Sequence, residues 1–593
     1  MKNIKSFLLV ALVGASFTSC NDFLNLEPLN DIVLENFWTD KSDVESVLLG
    51  AYSDLEKSDC VQRMIIWGEV RSDNVLEGNG TGEDIRQICR ENLLTTNSFC
   101  KYNAFYKVIN DANTVLHFAP IVAEKDPNFL PDELLAQEAE AITLRCLCYW
   151  YLIRAFHDVP YVTQPSIDDE GGHEKFYVPQ SSFDVILDSL IYEMETILDV
   201  DGNFKKCRAV TKYPTEDANT ARITKASACA LLADMYLWRG RDEDYRKCIE
   251  VCEEVTAIKK SEYQKLKEKE GKNCTVELIN GYPLILDAPS QTPGNSYNEI
   301  FGTGQSFEAL FELPYNNDVK NPFVGDYYQN NRSQDVGQLK AYDVMGKDLP
   351  NSVFDQPSDT RYCQNMKDIK GNGASYAITK YAYDEISLSV TGSGTVSTSG
   401  SSIRNQVQAD FIIYRYTEVL LFEAEAYIMQ AKKIAPAGDD SLSQVAAVNV
   451  LKDKAFNLID AVNRRSIVAD GVSKVPNLSA PKTLEIIMSY GANTTIGEVE
   501  TLLFKERRRE FLFEGKRWFD LVRMARRDGD QNRLLGFIKP KHGNSTGSAV
   551  EIKLKNPYAM YFPMHRDEVR NSQGVLKQNP AYQDEEVNEK ASH

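Results

Sequence analysis

Between residues 39 and 260 apolar side chains return every three or four positions, the spacing of a helix with one buried face. The stretch TDKSDVESVLLGAYSDLEK carries Val44, Val47, Leu48, Ala51 and Leu55 on one such face, with Thr39 or Ser42 as the predicted N-cap. The same pattern predicts helices over Asn103 to Phe118, Asp132 to Phe156, Ser182 to Leu198, Ile223 to Trp238 and Asp242 to Ile258. From about Gly281 to Ala409 the periodicity stops and Gly, Asn, Pro, Tyr and Ser become frequent. There YPLILDAP, FEALFELPY and SYAITKYAY predict short strands, and VTGSGTVSTSGSS from Val390 predicts a flexible loop. Helices are expected again from Phe411 to about Arg527, followed by a loop-rich close through YAMYFPMHRDEVR and LKQNPAY.

Three helical segments place a small residue three before a tyrosine: Cys146 with Tyr149, Ala233 with Tyr236, and Ala424 with Tyr427. Each ring then lies against a closely approaching neighbour helix, as in stacked tetratricopeptide-type pairs. No strict 34-residue period is visible, so the two readings are a degenerate array and an ordinary irregular bundle.

The N-terminus changes the picture of where the chain works. Lys2 and Lys5 precede an apolar run from Phe7 to Val13, then small residues, then Cys20, the layout of an export signal. A cysteine in that place resembles a lipobox, whose thiol is lipidated after cleavage, although Phe17 stands where leucine is usual. No later segment reaches 18 uninterrupted apolar residues. The expectation is an exported, lipid-tethered protein with a soluble body, and NDFLNLEPLND (residues 21 to 31) reads as its extended tether.

Charge and motifs narrow the chemistry. The chain of 593 residues carries 66 Lys and Arg against 86 Asp and Glu, a net charge of -20, which disfavours nucleic acid as a partner. Its six histidines show no metal-ligand spacing, and neither a GxSxG elbow nor a phosphate loop occurs. Among twelve cysteines, Cys146, Cys148, Cys229, Cys248 and Cys252 fall in apolar helical segments and read as core; no metal site is predicted. A carboxylate pair of glycosidase type needs only proximity in space, so a hydrolase stays open.

The densest charge lies in ERRREFLFEGKRWFDLVRM, residues 506 to 524. Glu506, Glu510 and Glu514 share a helical face beside Arg507, Arg508 and Arg509, while Phe504, Phe511 and Trp518 recur every seven residues as a stripe for burial. This predicts a scaffold element with snorkelling arginines, interrupted at Gly515. Lys505 to Arg523 also resembles the C-terminal signature of the SusD/RagB family of nutrient-binding outer-membrane lipoproteins. NFWTDKSDVESVLLGAYSDL, EAEAITLRCLCYWYLIRAFHDVPYVTQ, RITKASACALLADMYLWRG, IIYRYTEVLLFEAEAYI and YFPMHRDEVRNSQGVLKQNPAY resemble family segments in the family's order.

That resemblance implies a mainly α fold, a degenerate tetratricopeptide-like helical-pair scaffold with a loop-rich, short-strand insertion as ligand face. The expected divisions are residues 1–19 (signal), 20–285 (N-terminal helical region), 286–409 (insertion) and 410–593 (C-terminal helical region). It implies no catalysis and no cofactor, with Ca2+ left open, and a surface-facing outer-membrane protein that delivers glycan, or in some branches peptide, to a SusC-like TonB-dependent barrel. Sugar binding calls for aromatic rings beside planar polar groups. The expected contacts are Tyr327 and Tyr328 as stacking rings with Asp326, Gln329, Asn330, Asn331 and Arg332 for hydroxyls. A second set is Trp67 with Arg71, Asp73 and Asn74. With so negative a chain, neutral glycans are favoured over strongly anionic ones.

Overall fold

Asp40, rather than Thr39 or Ser42, caps the first helix, its carboxylate accepting the Ser42 N–H at 2.8 Å. Thr39 instead gives its own N–H to Asp43, closing the turn from the other side. The computed structural model describes residues 37–166, 177–286, 296–328, 336–342, 353–354, 358–369, 375–390, 395–403, 408–434, 442–467, 490–491 and 493–583.

The scaffold is helical: α1 Lys41–Leu55, α2 Ser58–Glu69, α3 Asn103–Lys125, α4 Pro131–Phe156, α5 Phe183–Leu198, α6 Lys225–Arg239 and α7 Asp242–Glu270. After the insertion come α8 Tyr416–Ile434, α9 Leu442–Ser466, α10 Ile496–Glu510 and α11 Arg517–Asp528. Neighbours pack in succession, α1 on α3, α3 on α4, α4 on α5, α6 on α7, α7 on α8 and α8 on α9, in a mainly α, tetratricopeptide-like arrangement. The three tyrosines of the small-residue pairs reach out of their own helices: Tyr149 Oη donates to Val162 O at 2.9 Å, Tyr236 Oη to Glu195 at 2.7 Å, and Tyr427 Oη to Glu253 at 3.3 Å. The predicted core cysteines are buried and unbridged, the Cys248 thiol lying 3.6 Å from Ala233 O on the facing helix.

Short strands gather where periodicity fails. β1 Val75–Glu77 pairs with β5 Leu339–Ala341, which pairs with β7 Tyr376–Ile378 and through it β6 Met366–Asp368, so the loop after α2 is stitched to the insertion. β2 Val276–Ile279 and β3 Tyr282–Ile285 form a hairpin under α7. Two expectations are corrected here. The Ser- and Gly-rich stretch after Val390 contains β9 Val396–Ile403, paired antiparallel with β8 Tyr383–Val390. Its Ser and Thr side chains face solvent, so the strand has no apolar alternation to announce it. Phe411 does not begin a helix: Phe411–Arg415 is β10, buried on every side chain and paired with β4 Ala309–Leu313, and α8 follows directly. A short, continuous apolar run carries no period, and only its partner decides between strand and helix.

The signature segment is the knot of the C-terminal half. α10 stops at Glu510, and Phe513 (φ 66°) and Gly515 (φ 74°) turn the chain before α11. The glutamates do not form a local surface ladder. Glu506 binds Arg361 at 2.7 Å and Asn463 at 2.9 Å, Glu510 binds Arg361, Arg415 and Arg465, and Glu514 binds Arg415 and Lys380. The arginines are not snorkelling either, for Arg507 pairs with Asp520 at 2.8 Å and Arg509 with Glu506 at 3.1 Å, both inside the protein.

These pairs make the fold acid-sensitive. Burial alone raises the Glu425 carboxyl, but Arg523 and Arg527 overcome it and hold the group at about 2, below its ordinary 4.5. Glu506, Glu514 and Asp520 are likewise held low against burial by the cations they face. A depressed folded-state pKa stabilises above the unfolded value and loses that contribution as pH falls through the folded one. Urea midpoints are therefore expected to hold down to about pH 4.5 and to fall steeply toward about pH 2. A flat midpoint over that window would contradict the ion-pair account.

Candidate functional site

The residues expected to touch ligand after α2 are interior. Trp67 is fully buried, its indole N–H donating to Phe99 O at 2.9 Å and its ring packed 5.1 Å from Phe105 and 5.2 Å from Phe156. Arg71 pairs with Glu91 at 2.6 Å, donates to Ala559 O and Met560 O, each at 2.7 Å, and lies 4.2 Å over the Trp518 ring. Asp73 receives Arg517 at 2.8 Å and Arg508 at 2.9 Å, and Asn74 bridges Glu69 to Arg508. This quartet is corrected from ligand face to scaffold. A Trp-Arg-Asp-Asn combination suits a sugar and a buried arginine cluster equally well, and here the signature segment supplies the cations.

The tyrosine platform is corrected for a similar reason. Val324–Tyr327 forms one helical turn, and Phe323 and Val324 pull it inward, so Tyr327 is 6% exposed and Tyr328 is 0% exposed. Tyr328 Oη donates to Phe513 O at 2.8 Å, and Tyr327 Oη lies 3.1 Å from Gln62 Oε1. Neither ring offers a free face. Asp326 is exposed beside them. Gln329, Asn330, Asn331 and Arg332 lie outside the described residues, as does Cys20. Among the described residues no group of three His, Cys, Asp or Glu side chains is placed to hold a metal ion, and no helix is long and apolar enough to cross a membrane.

A ring-and-amide combination does occur at the tail, in the segment expected as a loop-rich close and resembling a family segment. A groove of about 330 Å3 runs between the end of α4 and the last described turns, with Tyr558, His157, Gln180, Lys577, Asn579 and Gln583 on its walls. Tyr558 is 39% exposed and stands 5.5 Å, edge to face, from the His157 ring. The walls are built rather than loose: Asn579 Nδ2 donates to Tyr558 O and Phe562 O, Gln578 Nε2 donates to Met564 O at 2.8 Å, and Lys577 N donates to Gln180 Oε1 at 2.8 Å. Phe562 N donates to Ala155 O at 2.7 Å and ties the wall to α4. Val575 links this groove to a second of about 300 Å3 that holds Tyr102, Tyr106, Tyr177 and Asn571. The sequence signal was the pairing of NPYAMYFP with KQNPAYQ, aromatic and amide runs with thirteen residues between them, but nothing in either says that they face each other.

Comparison with known proteins decides the family. The SusD family model matches residues 316–582, and the model described as "Starch-binding associating with outer membrane" matches residues 22–237. This chain belongs to the SusD/RagB family. Its curated relatives include SusD-like protein P38 of Formosa agariphila, 22% identical over 550 residues that cover 88% of this chain and 91% of that one. SusD-like protein P2 of the same organism is 22% identical over 533 residues, 87% of this chain and 89% of that one. Among solved structures, a SusD superfamily protein from Bacteroides thetaiotaomicron superposes with a TM-score of 0.61 at 16% identity, covering 91% of this chain and 100% of that one. Surface glycan-binding protein A from the same organism, solved in complex with laminarihexaose, superposes with a TM-score of 0.56 at 16% identity, again over 91% and 100%. At such identities the SusD/RagB scaffold is what is shared.

Proposed function

We propose that this SusD/RagB protein captures an extracellular glycan and delivers it to a SusC-like TonB-dependent outer-membrane transporter, held at the cell surface by a lipid on Cys20. The observation that carries the reading is the neighbour solved with laminarihexaose, whose whole chain superposes on 91% of this one. The tail groove supports it, because Tyr558 offers an exposed ring to a pyranose face while Gln180, Asn579, Gln583 and Lys577 stand within the same walls for hydroxyls. Glycan is held there without bond cleavage and released into the barrel.

The test uses affinity gels cast with laminarin and other neutral polysaccharides, alongside a peptide panel. Retention is expected on at least one glycan, and Tyr558→Ala is expected to weaken it about ten-fold with an unchanged melting transition. Equal retention of the variant would remove the tail groove from the mechanism. Binding of peptides alone would overturn glycan capture, and release of reducing ends would replace capture with hydrolysis.

A further inference from the structure

A second polar cavity, of about 340 Å3, opens in the helical scaffold between α7, α8, α9 and the β2–β3 hairpin, and shares no lining residue with the tail groove. Its floor is Glu423 on α8, only 4% exposed, with Oε2 carrying no hydrogen-bond partner. A buried oxygen without a partner is uncommon, and the residue that carries this one lines the cavity. Burial, reinforced by the Glu253 carboxylate, pushes the Glu423 carboxyl up to about 8, so at neutral pH it is protonated and hydrogen-bonds without a charge.

The walls are equally specific. Tyr427 Oη sits between Glu253, at 3.3 Å, and the Lys454 ammonium, at 3.5 Å, and also hydrogen-bonds the Glu423 carboxyl, while the Asn457 side chain hydrogen-bonds Tyr282. Lys454 Nζ lies 4.9 Å from the Tyr427 ring centre and Lys260 Nζ 5.4 Å from that of Tyr282. Neither lysine makes an ion pair among the described residues, in a protein that spends most of its cations on carboxylates. With Glu423 neutral, Lys260, Lys454 and Glu253 leave one net positive charge in the cavity, against -20 for the whole chain.

We propose that this cavity binds a single carboxylated sugar residue of hexuronate size, its carboxylate between Lys260 and Lys454 and a hydroxyl at the Glu423 side chain. A volume of about 340 Å3 accommodates a pyranose ring, and Tyr427 and Asn457 are further polar groups in the lining. This site is separate from glycan capture in the tail groove and stands or falls without it.

Isothermal titration of the purified full chain with D-glucuronate and with D-glucose tests the assignment. Glucuronate is expected to bind saturably and glucose about ten-fold more weakly or not at all. The double variant Lys260→Ala, Lys454→Ala, at two exposed positions, is expected to lose about ten-fold in glucuronate affinity with an unchanged melting transition. Glu423→Gln is expected to bind nearly as the parent, because it keeps an uncharged hydrogen-bonding group, whereas Glu423→Leu is expected to lose binding. Polysaccharide retention through the tail groove is expected to be the same in the lysine variant and the parent, which separates the two sites. Absence of saturable glucuronate binding, equal affinity for glucose, or undiminished binding by the lysine variant would each overturn the proposal.

Discussion

Replacing Glu510 with Ala is expected to destabilise the protein by about 3–5 kcal/mol, the cost of stranding buried charge. Its carboxylate lies at the meeting point of Arg361 from the insertion, Arg415 at the end of β10 and Arg465 near the end of α9. Burial works against ionisation, yet Arg465, Arg415 and Arg361 together hold the carboxyl well below its usual range. Removing it leaves three guanidiniums with too few partners, of which Arg465 retains Glu308 at 2.8 Å and Arg361 retains Asp359 and Glu506. The measurement is urea unfolding at neutral pH, with hydrogen exchange over residues 358–369 as a local report on the insertion. Glu510→Gln preserves the shape but not the charge and is expected to lose most of the same stability. A loss below about 1 kcal/mol in both variants would mean that the cluster relaxes to water, and that the insertion is anchored by apolar contacts alone.

Gly68→Ala is the second large effect, expected at about 3 kcal/mol, the upper range for forcing extra volume into a packed core. A β-carbon on Gly68 would stand 1.8 Å from Gly515 O and 2.5 Å from Gly515 C, backbone atoms with no rotamer to escape through. The contact is reciprocal. Gly515 has φ 74°, a left-handed conformation, its N–H donates to Glu69 Oε2 at 3.0 Å, and a β-carbon there would meet Ile65 Cα at 3.2 Å. The turn that breaks the signature helix thus seats directly on α2. Gly50→Ala on α1 is the control, with nothing within 4 Å of the added atom; it is expected to be neutral or to stabilise by up to about 1 kcal/mol through helix propensity. Comparable losses at both positions in thermal unfolding would show that the close approach of α2 to the turn does not matter.

The helical half of the fold was legible because its signal is local and periodic. The runs ending at Phe156, Leu198 and Trp238 were legible to within a residue or two: α5 buries one face, α4 and α6 are long apolar runs buried all round over most of their length, and Gly240 at φ 66° closes α6. The signature segment identified the family for a related reason: its residues are constrained by many partners at once, so their order stays recognisable. What could not be read was who those partners are. Glu506 and Arg507 are neighbours in sequence yet belong to different ion pairs, one with Arg361 and the other with Asp520.

The binding surface was the least legible part, and the errors share one cause. Tyr328, Trp67, Arg71 and Asp73 have the chemistry of a sugar site and the burial of a core. Composition states what a side chain is able to do, whereas exposure is settled by elements hundreds of residues away, as when Tyr328 meets Phe513 and Arg71 meets Met560. The same distance hid the surfaces that are open: Tyr558 faces His157, and Glu423 faces Lys260 and Lys454, across no common segment.

By itself the sequence determined the helical scaffold, the family and the acidic character, because helix periodicity, a long ordered set of motifs and net charge are all properties of the chain read in line. Tertiary structure alone decided which polar and aromatic groups are interior, that Phe411–Arg415 is a strand, and where polar cavities remain. The physical reason is that burial, strand pairing and the neutralisation of charge are pairwise properties of groups far apart in the chain, and only the folded protein brings those pairs together.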